Sequence, residues 1–372
     1  MAGKVLDQNM ANQKTADGEE LKWLEPGTDL TLYGLEKTDT GYQRFDPTDK
    51  RLEGTGILNF AEFTAGGRCR LCTDSEKIAV KVRIKDYSLP SIMSLMVCCG
   101  FDLYETEEST GEELFAGGFR PPALIENGEY ECLVNLPFAE ERKNRYFTLY
   151  FPVFAKFHSV KIGVEKNAFC GEGWGYRNDF PVCFYGSSIT QGAAASRPGN
   201  TYESMISQRY NLDYRNMGFS GNAKGEPQVA QCLSEQNYSV FVYDYDYNAP
   251  SWEHLKQTHE PFYRILRKAH PEMPVIMVSA IPGTHRRSEE TEKREEVILR
   301  TYKNAKKRGE NVYFLSGKEI FVGKKSMDYI VDGVHPNDLG YEKMAEKIGE
   351  LVNRCLKEKA DAHQVRNEKT AI

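Results

Sequence analysis

The hydrophobic period of this chain changes near residue 171, and that change limits the fold more than any other feature. From about Asp29 to Lys166 the dominant period is two. Ile78, Val80, Val82 and Ile84 alternate with Ala79, Lys81, Arg83 and Lys85, and Val160, Ile162 and Val164 alternate with Lys161, Gly163 and Glu165. Successive side chains of a strand point to opposite faces, so this alternation marks half-buried antiparallel strands. Short β-rich runs, Phe101–Tyr104 and Arg145–Val153, are separated by turn-rich stretches such as Glu126-Asn127-Gly128. With no long amphipathic helix among them, they predict an antiparallel β-sandwich, jelly-roll-like, serving as an accessory or substrate-shaping unit.

Beyond Gly171-Glu-Gly-Trp-Gly175, short apolar strands alternate with helical segments. Val182–Tyr185, Tyr214–Met217, Val240–Tyr243, Val275–Ala280 and Val312–Leu315 are the strands. Tyr202–Tyr210, His254–Lys268, Glu289–Lys307 and Leu339–Leu356 are the helices. Such alternation predicts an α/β domain, a parallel sheet covered on both faces. The 372 residues, too many for one ordinary core, divide into a polar lead 1–28, a β-sandwich 29–170, a flexible linker 171–180, the α/β domain 181–356 and a polar tail 357–372 expected to fray.

Composition narrows the partners. Lys and Arg number 48 against 54 Asp and Glu, a net charge of −6 that argues against nucleic acid or an anionic membrane. No window holds 18 uninterrupted apolar residues, and Met1–Asp17 lacks the apolar core of a signal peptide. Nine cysteines without a repeating frame read as reduced thiols in a cytoplasmic protein. Cys69 and Cys72, with Cys98-Cys99, could be drawn as a zinc site. Positions three apart on a strand face opposite ways, however, and no second CxxC follows, so no metal or other cofactor is expected.

In parallel α/β sheets the site lies beyond the carboxyl ends of the strands. Those ends carry Ser187-Ser188, Gly218–Asn222 and Asp244–Ala249, and Asp332-Gly-Val-His335-Pro precedes the last helix. A serine hydroxyl becomes a nucleophile when an imidazole takes its proton, and a carboxylate fixes the tautomer of that imidazole. Backbone N–H groups at tight Gly turns and an Asn amide can hold the oxyanion. Any one of these is an ordinary cap or turn on its own; together at successive strand ends they are the parts of acyl transfer. No Gly-x-Ser-x-Gly surrounds Ser188 or Ser220, Gly171–Gly175 lacks dinucleotide spacing, and Gly323–Ser326 lacks the upstream Gly of a phosphate loop.

These residues resemble the SGNH (GDSL-type) hydrolase superfamily. Gly186-Ser-Ser-Ile-Thr190 resembles its first block, which implies Ser188 as nucleophile. Asn216–Asn222 resembles the second, placing Gly221 on the oxyanion glycine; Asn248 matches the third; and Asp332-x-x-His335-Pro matches the last. The implied fold is a three-layer α/β/α domain with a parallel, flavodoxin-like sheet. Phe184–Gly192, Asp244–Pro250, Thr258–Phe262, Phe101–Tyr104 and Phe119–Pro122 further resemble a bacterial branch with a β-sandwich before the hydrolase domain, whose relatives include carbohydrate O-acyl esterases. Two positions depart from the pattern: the usual Asp before the nucleophile is Ser187, and the usual Asp after the block-three Asn is Ala249.

The resemblance thus implies Ser188, His335 and Asp332 as the catalytic set, with the Ser188 and Gly221 N–H groups and the Asn248 amide as oxyanion donors. The substrate expected is a small-molecule or oligosaccharide ester. Small residues from Gly192 to Ala195 favour a short acyl group, with longer-chain thioesters or lysophospholipids, and an inactive carbohydrate-binding protein, as rivals. Other polar residues keep two readings. His254 and His259 line a cleft or are packed; Asp244 and Asp246 bind sugar hydroxyls or a divalent ion, or form turns; Arg197 touches substrate or is a surface arginine. The charged helix Glu289–Lys307 reads as a solvated face. The sandwich is expected to cover the cleft or to present a homo-oligomer face.

Overall fold

The alternating segments of the first domain pair into two antiparallel sheets. In the first, Leu21–Leu24, Ala155–Glu165, Lys77–Tyr87 and Glu129–Asn135 lie side by side. The second is ordered Cys170–Glu172, Arg68–Thr73, Arg145–Tyr150, Phe101–Thr106 and Glu113–Phe119, and Leu32–Tyr33 also joins Arg68–Thr73. This computed structural model describes residues 16, 18–138, 141–283, 288–323 and 325–370. Most of the lead, residues 1–15 and 17, lies outside that set. Ile78, Val80, Val82 and Ile84 are buried between the sheets while Lys81, Arg83 and Lys85 are exposed, as their period requires.

Part of the polar lead and the linker expected to be flexible are built into the domain. Leu21–Leu24, within the polar lead, pairs with Ile162–Glu165. The Gly-rich linker is tied down as well. Gly171 pairs with Cys72, the Trp174 carbonyl accepts Arg70 Nη1 at 2.7 Å, and the Arg70 guanidinium stacks on Tyr176 at 3.4 Å. Arg68 and Arg70 are buried and need acceptors, and the linker supplies them. Arg70 also pairs at 2.6 Å with buried Glu113, which accepts from Thr148 and Tyr150. Cys69 and Cys72 lie on a buried strand, Cys98 and Cys99 on the short helix Leu95–Cys99, and all nine thiols are free.

The second domain is a five-stranded parallel sheet: β1 Val182–Gly186, β2 Tyr214–Gly218, β3 Val240–Asp244, β4 Val275–Val278 and β5 Val312–Leu315. Their order is β2-β1-β3-β4-β5, the flavodoxin-like doubly wound arrangement, with direction reversing between β1 and β3. Its helices include α1 Ser188–Gln191, α2 Tyr202–Tyr210, α3 Pro227–Ser234, α4 Trp252–Ala269, α5 Ser288–Lys307 and α6 Asp338–Thr370, with a further short one at Gly317–Ile320. The tail expected to fray from Lys357 continues α6 to Thr370, because its Lys, Glu, Ala and Gln residues are good helix formers. One apolar cluster running through both domains includes Val80 and Leu149 of the sandwich and Val182, Tyr214 and Ile348 of the α/β domain. No helix among the described residues is long and apolar enough to cross a membrane.

Candidate active site

Ser188 opens α1 directly beyond the end of β1. Ser187 is the cap of that helix: extended, 1% exposed, it accepts from the Ile189 N–H at 3.1 Å. A serine hydroxyl therefore does the capping at the position where the family pattern has a carboxylate. The tight turn needs glycine at the neighbouring strand end. A Cβ on Gly218 would lie 2.1 Å from Gln191 N, so only hydrogen lets α1 sit over the end of β2.

His335 reaches Ser188 from the loop before α6. Its Nε2 is 2.8 Å from Ser188 Oγ, and its Nδ1 is 2.8 Å from Asp332 Oδ2. The loop holds this pose through backbone bonds. Val331 N–H donates to the His335 carbonyl at 2.8 Å, and Asp332 Oδ1 accepts from the N–H groups of Val334 at 3.0 Å and His335 at 2.8 Å. Partial burial opposes ionisation of Asp332, but those N–H groups and the imidazole hold its carboxyl below the usual range. The Asp332 and His335 side chains keep 30% and 19% exposure, so the relay stands at the surface. Below it, Tyr341 of α6 donates to the Ile189 and Ala193 carbonyls, and Asp338 accepts from Ser196 and Asn200, joining α6 to the chain after Ser188.

Gly221 and Asn248 lie on the loops after β2 and β3, which flank the β1 end that carries Ser188. Gly186 pairs with Gly218 of β2 on one side and with Asp244 of β3 on the other, so the three loops leave adjacent strand ends. Gln191 Oε1 accepts from Ser220 N at 3.1 Å and Ser220 Oγ at 3.0 Å. Gly221 follows in the left-handed region, φ 70°, with open space where a Cβ would be. Asn248 Oδ1 then accepts from Ala223 N at 3.2 Å. With that oxygen occupied, the other end of the amide is the donor.

The remaining polar candidates separate cleanly. His259 is buried against Tyr243 and Tyr245 with Nδ1 3.0 Å from Thr301 Oγ1, and burial pushes its pKa down to about 3: it is a packed histidine. His254 Nε2 lies 2.8 Å from the Lys224 carbonyl. Asp246 is buried, accepts from Ala280 N and pairs with Arg294 of α5 at 3.1 Å, so its role is structural. Helix α5 is accordingly solvated on one face only, for Arg294, Val297, Ile298 and Ala305 are buried. Arg197 touches the sandwich: Nη1 is 2.9 Å from Asp102 Oδ2 and 2.6 Å from Tyr104 OH. Ala193, Ala194 and Ala195 are buried, so they set close packing under Ser188 and do not line an open acyl channel. Among the described residues no three metal-ligating side chains cluster. Sequence reasoning missed Gln191, whose place one helical turn after Ser188 was the available signal, and Arg44, which no local pattern marks.

Residues 179–353 match the model of the GDSL-like Lipase/Acylhydrolase family. The α/β domain belongs to that family. Residues 21–170 match the N-terminus of Esterase_SGNH_hydro-type, so the chain is an esterase or acylhydrolase of SGNH type with its own N-terminal domain. A candidate GDSL-like lipase from Bacteroides ovatus is 27% identical, with a TM-score of 0.79 over 91% of this chain and 98% of that one. Two likenesses are of fold alone. A salicylyl-acyltransferase from a tetracycline biosynthetic pathway is 19% identical, TM-score 0.70, over 88% of this chain and 95% of that one. The acetyl xylan esterase Est2A of Butyrivibrio proteoclasticus is 14% identical, TM-score 0.58, over 91% and 99%. No curated protein matches the sequence.

Proposed function

We propose that this protein is a serine esterase that removes short acyl groups, acetyl above all, from carbohydrate. The observation that carries the reading is the unbroken relay from Ser188 Oγ through His335 to Asp332, each step 2.8 Å. His335 takes the Ser188 proton as Oγ attacks the ester carbonyl. The tetrahedral oxyanion is held by the Ser188 and Gly221 N–H groups and by the Asn248 amide. Its collapse expels the alcohol with a proton from His335, and water, activated in the same way, releases the acid and restores Ser188. Asp332 keeps the imidazole in the tautomer that accepts at Nε2. No step calls on a metal or cofactor.

The carbohydrate assignment draws on fold neighbours that are themselves carbohydrate esterases, Est2A among them. A short oligosaccharide ester in the cytoplasm is the substrate proposed, and the mild net charge suits a neutral molecule. The test is acetate release from a panel of acetylated oligosaccharides, with p-nitrophenyl acetate, butyrate and octanoate alongside and Ser188→Ala as control. Preference for octanoate refutes the short-acyl reading in favour of longer chains. No turnover of any ester leaves a carbohydrate-binding protein, and activity in Ser188→Ala refutes the serine mechanism.

A further inference from the structure

Arg44 stands just after the strand Gly41–Gln43 of the first domain, yet its side chain ends beneath the second domain's β2 loop. It is 1% exposed. Nε and Nη2 donate to the Phe60 carbonyl at 3.2 and 2.8 Å, and Nη1 donates across the domain boundary to the carbonyls of Asn216 at 3.2 Å and Gly218 at 2.7 Å. All its hydrogen-bond acceptors are carbonyl oxygens, and no carboxylate among the described residues pairs with it. Burial pushes its pKa down to about 9, which leaves it cationic at neutral pH.

Two of the groups around this guanidinium, the Gly218 carbonyl and the Phe219 ring, belong to the turn from Gly218 to Gly221. Its carbon sits 4.9 Å over the Phe219 ring, which Phe45 and Phe60 of the first domain also meet at 5.6 and 6.4 Å. The next peptide continues the run, for Phe219 N–H donates to the Gly186 carbonyl at 2.9 Å, two residues before Ser188. On the outer side Gly56, φ 80°, lies so near Asn222 that a Cβ would come within 2.3 Å of its Oδ1. A cation buried without a counter-ion is costly unless something compensates. A developing negative charge at the same loop would gain from it most in the transition state.

We infer that Arg44 is a positioning residue for the reaction at Ser188: it holds the Gly218–Gly221 turn as an oxyanion donor and biases that turn toward negative charge. The inference rests on the serine-esterase reading above. The sandwich is then part of the site's construction, since the α/β domain alone lacks this support.

The experiment uses the full chain carrying Arg44→Met or Arg44→Lys, with Ser188→Ala beside them. Hydrolysis of p-nitrophenyl acetate is normalised to sites labelled by a fluorophosphonate, so that loss of folded protein does not count as loss of rate. Inhibition by phenylboronic acid, which forms a tetrahedral anion on serine, reports the oxyanion site. Expected for Arg44→Met is a fall in kcat of about 10- to 100-fold per labelled site, KM within about twofold, and a parallel loss of boronate affinity. Arg44→Lys, retaining charge but not the planar fork, restores part of both. A purely structural role would lower the labelled fraction and leave the rate per site and the boronate affinity unchanged, and that result overturns the inference. If Arg44→Met does not fold, Arg44→Lys decides: full activity per site overturns it. Activity in Ser188→Ala instead sinks the underlying reading, so the two failures are distinct.

Discussion

Asn248→Asp separates chemistry from stability with a change of one atom type. In the native protein Asn248 Oδ1 accepts from Ala223 N at 3.2 Å, and its amide N–H is the proposed oxyanion donor. The aspartate keeps the acceptor and makes it charge-assisted, so the loop should hold at least as firmly; a bond of this kind contributes about 0.5–1.5 kcal/mol. What is lost is the donor, which costs about 10²–10³ in rate, or roughly 2.7–4 kcal/mol. A carboxylate facing the oxyanion adds repulsion of about 4 kcal/mol for charges ~4 Å apart at an effective dielectric constant near 20. Together, at roughly 6.7–8 kcal/mol, these predict a fall in kcat of about 10⁵–10⁶, with the melting temperature changed by no more than about 2–4 °C. The assay is steady-state hydrolysis of p-nitrophenyl acetate beside a thermal scan. Activity within tenfold of the native enzyme, while Ser188→Ala is dead, would refute the assignment of Asn248 as a donor.

Asp332→Asn should lower kcat by about 10⁴, because the amide favours the wrong tautomer of His335, while circular dichroism stays native. Glu113→Ala strips Arg70 of its buried carboxylate and should cost about 3–5 kcal/mol in urea unfolding, with little effect on KM. His259 has a folded pKa of about 3 against an ordinary 6.5, so between those values the unfolded chain binds the proton that the folded chain refuses. Stability is therefore full above pH 6.5 and falls as pH drops through that window, by up to about 1.4 kcal/mol per unit. His259→Gln should remove this slope, read as urea midpoints at pH 5 and 7.5; an unchanged slope would mean that another group carries it.

Much of this was legible in the residues. The alternation of Ile78–Ile84 and Val160–Val164 marked strands because a half-buried strand has no other way to sort its side chains. The strand–helix rhythm after Val182 placed five parallel strands, and the rule of carboxyl ends led to Ser188, His335 and Asp332, which stand 2.8 Å apart in sequence of contact. Composition pointed the other way at two segments. The glycines of 171–175 suggested freedom, but carbonyls and a tyrosine ring were claimed by buried arginines. The polar residues after Lys357 suggested fraying, but polarity without Gly or Pro does not end a helix.

Period, capping and turn chemistry act over a few residues, so strands, helices and the order of the chemical parts are written locally in this chain. Tertiary structure alone decided which distant groups complete them. Arg44 meets Gly218 across 174 positions, and Arg197 reaches Asp102 across 95. Whether such a cation ends beside a carboxylate, as Arg197 does, or beside bare carbonyls, as Arg44 does, depends on how two sheets dock. Docking is set by the fit of whole surfaces, and no short stretch of sequence contains it.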